Sequence, residues 1–216
     1  MRCRLLSFAA VLSVALAATL ASATDSRAAV LLFDDFNSES QSLNHTPFAN
    51  WSVSAGSVDV IGTGFFDFYP GNGNYVDLNG SSGAIGALTS NTVFGAGTYT
   101  LTFTLGGSNG GDGNVDPSAK TTRVIFGNFV QDITLASNAG LTTQSFTFTT
   151  TGGNLTFASL PGGNEFGPYV GNVLDNVQVS AVPELSTWGM MLIGFAGMGL
   201  LAYRRSKKTL AAIAAT

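Results

Sequence analysis

The chain reads as an all-β protein, an antiparallel jelly-roll β-sandwich framed by two apolar helical segments. Three observations predict this. Between residues 29 and 181 apolar residues alternate with Thr and Ser, the period of a half-buried strand. Turn signals rich in Gly and Asn separate the alternating runs. The many Phe residues supply rings large enough to fill the space between two sheets.

The strands follow in order. Residues 30–36 form the first. Residues 51–54 and 57–61 are expected to pair around Ala55-Gly56, and residues 75–78 make a short strand. Residues 83–90 lead into 97–105, where Tyr99, Leu101, Phe103 and Leu105 share one face. Residues 123–126, 133–135, 144–149 and 154–158 come next, and 173–180 closes the domain. About ten short strands with no helical period between them predict a two-sheet sandwich. Helix is expected only in the terminal segments.

The first of these is residues 1–28. Met1-Arg2-Cys3-Arg4 is basic, Leu5 to Leu20 is apolar apart from Ser7, Ser13 and Thr19, and Ala21-Ser22-Ala23 is a small-x-small cleavage site. That is the plan of a secretory signal peptide, with a second cleavage point at Ser26-Arg27-Ala28. Cys3 is the only cysteine and precedes the apolar run, so the exported domain uses no disulfide. At the other end, the 19 residues from Leu185 to Tyr203 carry no charge. As a helix they measure about 28 Å, enough to cross a bilayer core. Trp188 and Tyr203 stand at its two ends, where amphipathic rings favour the interface. Arg204, Arg205, Lys207 and Lys208 mark the cytoplasmic side, leaving residues 209–216 as a short cytoplasmic tail.

The order Pro183-Glu184, a spacer ending in Trp188, an apolar glycine-containing run and then Tyr203-Arg204-Arg205 resembles the PEP-CTERM sorting signal of Gram-negative bacteria. The resemblance covers residues 182–208. It implies export across the inner membrane, a temporary anchor, and cutting near Pro183-Glu184 by an exosortase-type enzyme. Leu185 stands where the family has its second proline, and eight residues follow the basic cluster. The central region, residues 29–181, is similar to the galactose-binding-like, choice-of-anchor type of ectodomain. The stretches that carry this are Trp51-Ser52-Val53 with Gly56-Ser57-Val58, Tyr75-Val76-Asp77-Leu78-Asn79-Gly80, Gly97-Thr98-Tyr99-Thr100-Leu101 and Val173-Leu174-Asp175-Asn176-Val177.

Charge and composition then limit the chemistry. Residues 29–181 hold eleven acids against Lys120 and Arg123, a net charge of −9, which repels phosphate backbones and excludes nucleic acid as a partner. One histidine and no mature cysteine exclude a usual zinc site. His45 lies in a polar stretch with no nucleophile elbow near it, and is expected to be solvated. No enzymatic role is expected, and no cofactor is required. Among acids, Glu165 is the first to test for glycosidase chemistry. Asp112-Gly113-Asn114-Val115-Asp116 begins like a calcium loop, but Pro117 replaces the turn glycine and Arg123 the bidentate Glu, so it reads as a solvated hairpin loop. Asp34 and Asp35 in the first strand, with Asp175 in the last, are the candidate ligands of a structural calcium, which the resemblance places at that junction.

Three functions stay open. The first is a structural or adhesive surface protein of an exopolysaccharide or biofilm layer, the setting that the sorting signal implies. The second is a carbohydrate-binding module, with Trp51, Tyr69 or Tyr75 stacking on a sugar ring. The third is a glycoside hydrolase using Glu165 and an Asp.

Overall fold

The computed structural model describes residues 28–108, 118–161, 169–182, 193–200 and 203. Residues 28–182 belong to one compact unit, and the residues after Val182 to another. In the second unit residues 193–200 and 203 are helical. Among the described residues no helix is long and apolar enough to cross a membrane. The signal segment, the Asp112–Asp116 loop, Glu165, Pro183, Glu184, Trp188, Arg204 and Arg205 lie outside the described residues.

Eleven strands build the first unit: β1 (Ala29–Asp34), β2 (Trp51–Ala55), β3 (Asp59–Gly62), β4 (Asn74–Asp77), β5 (Ala87–Phe94), β6 (Gly97–Gly106), β7 (Lys120–Phe126), β8 (Phe129–Leu135), β9 (Thr142–Thr150), β10 (Gly153–Ser159) and β11 (Val173–Ala181). They form two antiparallel sheets. One runs β3-β4-β11-β6-β9, with β1 beside β11, and the other β2-β5-β10-β7-β8. The pairs β7·β8, β6·β9, β5·β10 and β4·β11 are those of one long hairpin folded over on itself. This is a jelly-roll winding, in which consecutive strands fall in alternate sheets from β4 to β7 and again from β8 to β11.

The winding corrects one expectation. The strand at 51–54 does not pair with that at 57–61. β2 pairs β5 in one sheet, and β3 pairs β4 in the other. Gly56 makes the transfer between sheets: its φ is +52°, and a Cβ there would meet the Ile85 carbonyl oxygen at 2.1 Å. Likewise the first strand ends at Asp34. Phe36 has a φ of +52°, held by its N–H donating to Asp34 Oδ1 (2.9 Å), and its ring turns into the core.

The core lies between the sheets. Tyr99 of β6 stacks on Phe126 of β7 (ring centroids 5.2 Å apart), and Phe103 of β6 meets Phe157 of β10 edge-on (5.0 Å). Leu32, Leu101, Leu105, Val177 and Val179 from one sheet and Trp51, Leu88, Val124 and Leu155 from the other complete it. A smaller cluster sits on the outer side of β3 and β4. There Ile61, Tyr75 and Val173 are covered by Phe65, Phe68, Tyr69 and Leu141.

The sandwich has two unlike ends. At one, β5–β6, β7–β8 and β9–β10 are each joined by two residues: Gly95-Ala96, Gly127-Asn128 and Thr151-Gly152. At the other, the connections β4–β5, β6–β7, β8–β9 and β10–β11 run to 9, 13, 6 and 13 residues. Because Ala29 pairs with Ala181, both ends of the domain chain leave side by side at the short-turn end.

Candidate functional site

Three aromatic residues are the expected sugar-stacking platforms, and two of them are core. Trp51 is 1 % exposed, and its indole Nε1–H donates to Asp34 Oδ2 (2.9 Å) while the ring lies 6.0 Å from Phe157. Tyr75 is fully buried, its hydroxyl taking the N–H of Tyr69 (3.0 Å) and donating to Asp67 (3.1 Å). A ring that solvent cannot reach cannot stack on a sugar, so both are corrected to structural residues. Tyr69 is half-buried, and its hydroxyl lies 2.6 Å from the Gly107 carbonyl and 2.7 Å from that of Ala139. It ties the 63–73 segment to the long-loop end.

The three candidate calcium ligands are brought to one region, since β1 pairs β11 with Asp34 opposite Val177. Their carboxylates do not form a cage. Asp34 turns inward and accepts from Phe36 N–H, Asn50 Nδ2 (3.0 Å) and Trp51 Nε1. Asp175 accepts from Asn72 Nδ2 (2.8 Å) and from the backbone N–H (2.7 Å) and side-chain amide (2.8 Å) of Asn176. Asp35 accepts the Asn37 N–H (3.1 Å). Among the described residues no group of three acidic, histidine or cysteine side chains is arranged to hold a metal ion. Amide donors already do what a cation would do there.

Two of these acids are nonetheless electrostatically unusual. The Asp175 carboxyl is pushed up to about 6, chiefly by burial and further by the charges of Asp35 and Asp34, against the pull of its amide donors. Asp77 lies well above the usual carboxylate range, again through burial first, with Asp59 adding to it. The N–H groups of Asn79 (2.9 Å) and Gly171 (2.7 Å) donate to Asp77 Oδ1, and with Lys120 they draw it back down.

His45 is also corrected. It is buried, not solvated: Ser42 Oγ lies 2.7 Å from Nδ1, Glu39 Oε2 3.4 Å from Nε2, and the ring meets Phe48 edge-on at 4.5 Å. The backbone N–H of His45 also donates to Val58 O (2.8 Å). The Ser42-His45-Glu39 trio therefore pins the segment after β1 onto β3. Glu39 Oε1 is held in turn by the Ala49 N–H (2.8 Å).

A further exposed surface is uncharged and regular. On the outer face of the β1-β11-β6-β9 sheet, residues line up in rows across four strands. One row is Phe33–Gln178–Thr102–Ser145, and the next is Val30–Ser180–Thr100–Thr147. Leu32 and Asp34 point into the sandwich, so Phe33 between them points out and is 53 % exposed. With strands about 4.8 Å apart, each row is about 14 Å long. The row through Phe33 offers an exposed ring, an amide and two hydroxyls, the row through Val30 offers two threonine hydroxyls beside a buried Ser180 (6 % exposed), and neither carries charge. Thr100 and Thr147 are bonded to each other (3.0 Å), as are Thr98 and Thr149 (3.0 Å), which fixes their rotamers.

No protein-family model matches the chain, and no curated protein matches it. Among solved structures it is similar to the K3 cleaved adhesin domain of Lys-gingipain from Porphyromonas gingivalis, at 14% identity and a TM-score of 0.48. That alignment covers 70% of this chain and 98% of the adhesin domain. It is similar to the C-terminal CBM6 of the laminarinase LamC from Zobellia galactanivorans, at 11% identity and TM-score 0.36, over 69% of this chain and 98% of that one. A further likeness is to a carbohydrate-binding module of lichenase 5A from Cellvibrio mixtus, solved with cellotriose. There the identity is 14% and the TM-score 0.33, over 72% of this chain and all of the module. None of these three reaches a TM-score of 0.5.

Proposed function

We propose that this is an exported, non-catalytic adhesive domain that binds neutral polysaccharide on the outer face of β1, β11, β6 and β9. The observation that carries the reading is the row Phe33–Gln178–Thr102–Ser145. An exposed ring offers a flat apolar surface to the C–H face of a sugar, and the amide and hydroxyls beside it can pair with sugar hydroxyls. The absence of charge in both rows favours a neutral polymer, as does the net acidity of the domain, which repels anionic ones. Delivery rests on the terminal segments. A signal peptide over residues 1–28 exports the chain, the 182–208 segment tethers it, and an exosortase-type enzyme cuts near Pro183-Glu184 to release it into an exopolysaccharide layer.

The binding test uses full-length protein in lipid nanodiscs, titrated with neutral and with uronic-acid polysaccharides. Neutral chains should bind, and Phe33→Ala should weaken binding about tenfold, the loss of one stacked ring. Equal binding by Phe33→Ala removes the platform from the reading. The delivery test tags both chain ends in a host with and without exosortase. A C-terminal tag that stays on full-length protein in both hosts leaves the tail as an anchor only.

A further inference from the structure

A sheet edge is a row of unpaired backbone N–H and C=O groups, and it invites a further strand unless something interrupts it. Among the described residues five strands stand at sheet edges: β1, β3 and β9 in one sheet, β2 and β8 in the other. Four of them are covered, broken or charged. β3 is covered by the segment after β1, since Ser42 exchanges two backbone bonds with Val60 (3.0 Å each) and His45 N–H donates to Val58 O. β2 has five residues and a register shift between Val53 and Ala55, and β1 has six with a shift between Val30 and Leu32. β8 carries Asp132, held by Arg123 through two bonds of 2.7 Å. β9 has none of these guards. Its nine residues, Thr142-Thr143-Gln144-Ser145-Phe146-Thr147-Phe148-Thr149-Thr150, include no charge, no proline and no glycine. They pair with β6 in one unbroken register, and no other described strand pairs with them.

The β6–β9 ladder shows what the free side of β9 accepts. On its outer face Thr98, Thr100, Thr102 and Thr104 of β6 stand opposite Thr149, Thr147, Ser145 and Thr143 of β9, a hydroxyl residue opposite a hydroxyl residue at all four positions. β9 therefore presents the same series of hydroxyls at alternate positions as β6 does. Two antiparallel copies of β9 centred on Phe146 set Ser145 opposite Thr147 and Thr143 opposite Thr149 in both halves, so the same ladder repeats across a two-fold axis. On the other face Phe146 meets its copy, beside Phe148, which already stacks on Phe129 with ring centroids 3.8 Å apart. The edge is about 30 Å long, and with every second residue directed outward it supplies about eight backbone bonds. A net charge of −9 over residues 29–181 makes copies of the domain repel, which favours contact where charge is absent.

We infer that β9 is a self-pairing edge: two copies of the domain join β9 to β9 about a two-fold axis at Phe146 and merge their six-stranded sheets into one. This does not depend on the carbohydrate reading. The test uses the full-length chain in detergent, with Cys3→Ser as background. Ser145→Cys and Thr147→Cys are made singly, then oxidised alone and as an equal mixture. Directly opposite residues have Cα atoms about 4.5–5.5 Å apart, within disulfide reach. Two copies of the same position are offset by two residues and lie about 7–8 Å apart, beyond it. The mixture should therefore yield about fivefold more linked dimer than either protein alone. Ser145→Lys combined with Thr147→Lys sets like charges directly opposite in both pairs. That variant should sediment as monomer where the parent sediments as dimer, with its far-UV circular dichroism unchanged. If the mixture links no better than its components, or the dimer survives both lysines, the copies meet elsewhere and the β9 pairing is wrong. If the parent chain stays monomeric, the edge is left to an extended segment of another protein, and self-pairing is equally overturned.

Discussion

The two ends of this sandwich follow opposite rules. At the short-turn end, the turns at Gly127 and Gly152 leave no room for a side chain. Gly127 has a φ of +59°, and a Cβ there would meet Thr150 Oγ1 at 2.3 Å and the Gly152 carbonyl at 2.4 Å. At the long-loop end the connections vary in length and are held by carboxylates. Asp77 takes the N–H groups of Asn79 and Gly171, while Asp59 takes those of Asn44 (2.6 Å) and Ser81 (3.1 Å) and the Ser81 hydroxyl (2.6 Å). One end is specified by backbone conformation and the other by buried charge. A turn that allows only glycine fixes the winding of the strands. A carboxylate that gathers N–H groups from several loops ties those loops down without dictating their length.

The largest expected effect comes from breaking the carboxylate side of this contrast. Asp77→Ala leaves two buried N–H groups without an acceptor and should lower unfolding free energy by about 2–4 kcal/mol in denaturant titration. A loss below about 1 kcal/mol would show that the loop end does not depend on its carboxylates. Next in size, Gly127→Ala should cost about 2–3 kcal/mol, from a positive φ and a clash with backbone. Its partner is Gly140→Ala in the β8–β9 connection, where a Cβ meets nothing within 4 Å. That change should stay within about 0.5 kcal/mol of the parent.

The smallest effect is in pH. Asp175 has a folded-state value of about 6, above that of the unfolded chain, so through it the native state binds more protons between about pH 4 and pH 6, and Asp77 is shifted in the same direction. Stability from these groups is therefore greatest at low pH and falls as pH rises through 6. Thermal unfolding should show the domain about 1–2 kcal/mol more stable near pH 5 than near pH 7, a figure reduced for solvent screening. Asp175→Asn should flatten that slope between about pH 4 and pH 6. An unchanged slope would mean that Asp175 does not titrate there. No such dependence should arise from the three two-residue turns, whose residues include no Asp, Glu or His.

How much of this was legible in the sequence differs element by element. Alternation of apolar and polar residues marked β6 from Gly97 onward and β11 from Val177 because each has one face toward the core there. β3 was misplaced for the opposite reason: all four of its residues are buried, so no alternation shows which sheet it joins. Local sequence cannot say that the chain crosses between sheets at Gly56, since a glycine reads equally well as a hairpin turn. The exposure of Phe33 was missed because Val30 to Phe33 is continuously apolar. The register shift between Val30 and Leu32 decides which rings face out. The buried states of His45 and Trp51 depend on partners in distant segments, which no spacing reveals. The strand adjacency that gathers Asp34 and Asp175 was readable from jelly-roll topology. That their oxygens go to Trp51, Asn50, Asn72 and Asn176 was not.

The strand that leads to the tail is also the best-supported strand of its sheet. β11 is bonded along one edge to β6 and along the other to β4 and then β1. A pull on the C-terminus therefore runs along β11 and loads two antiparallel ladders in shear, so that many backbone hydrogen bonds must stretch together. The same pull on an edge strand would open them one after another like a zip. β1, which takes any pull from the N-terminal side, holds only β11, and yields first. A pull at Val182 along β11 thus meets more resistance than a pull at Ala29 along β1.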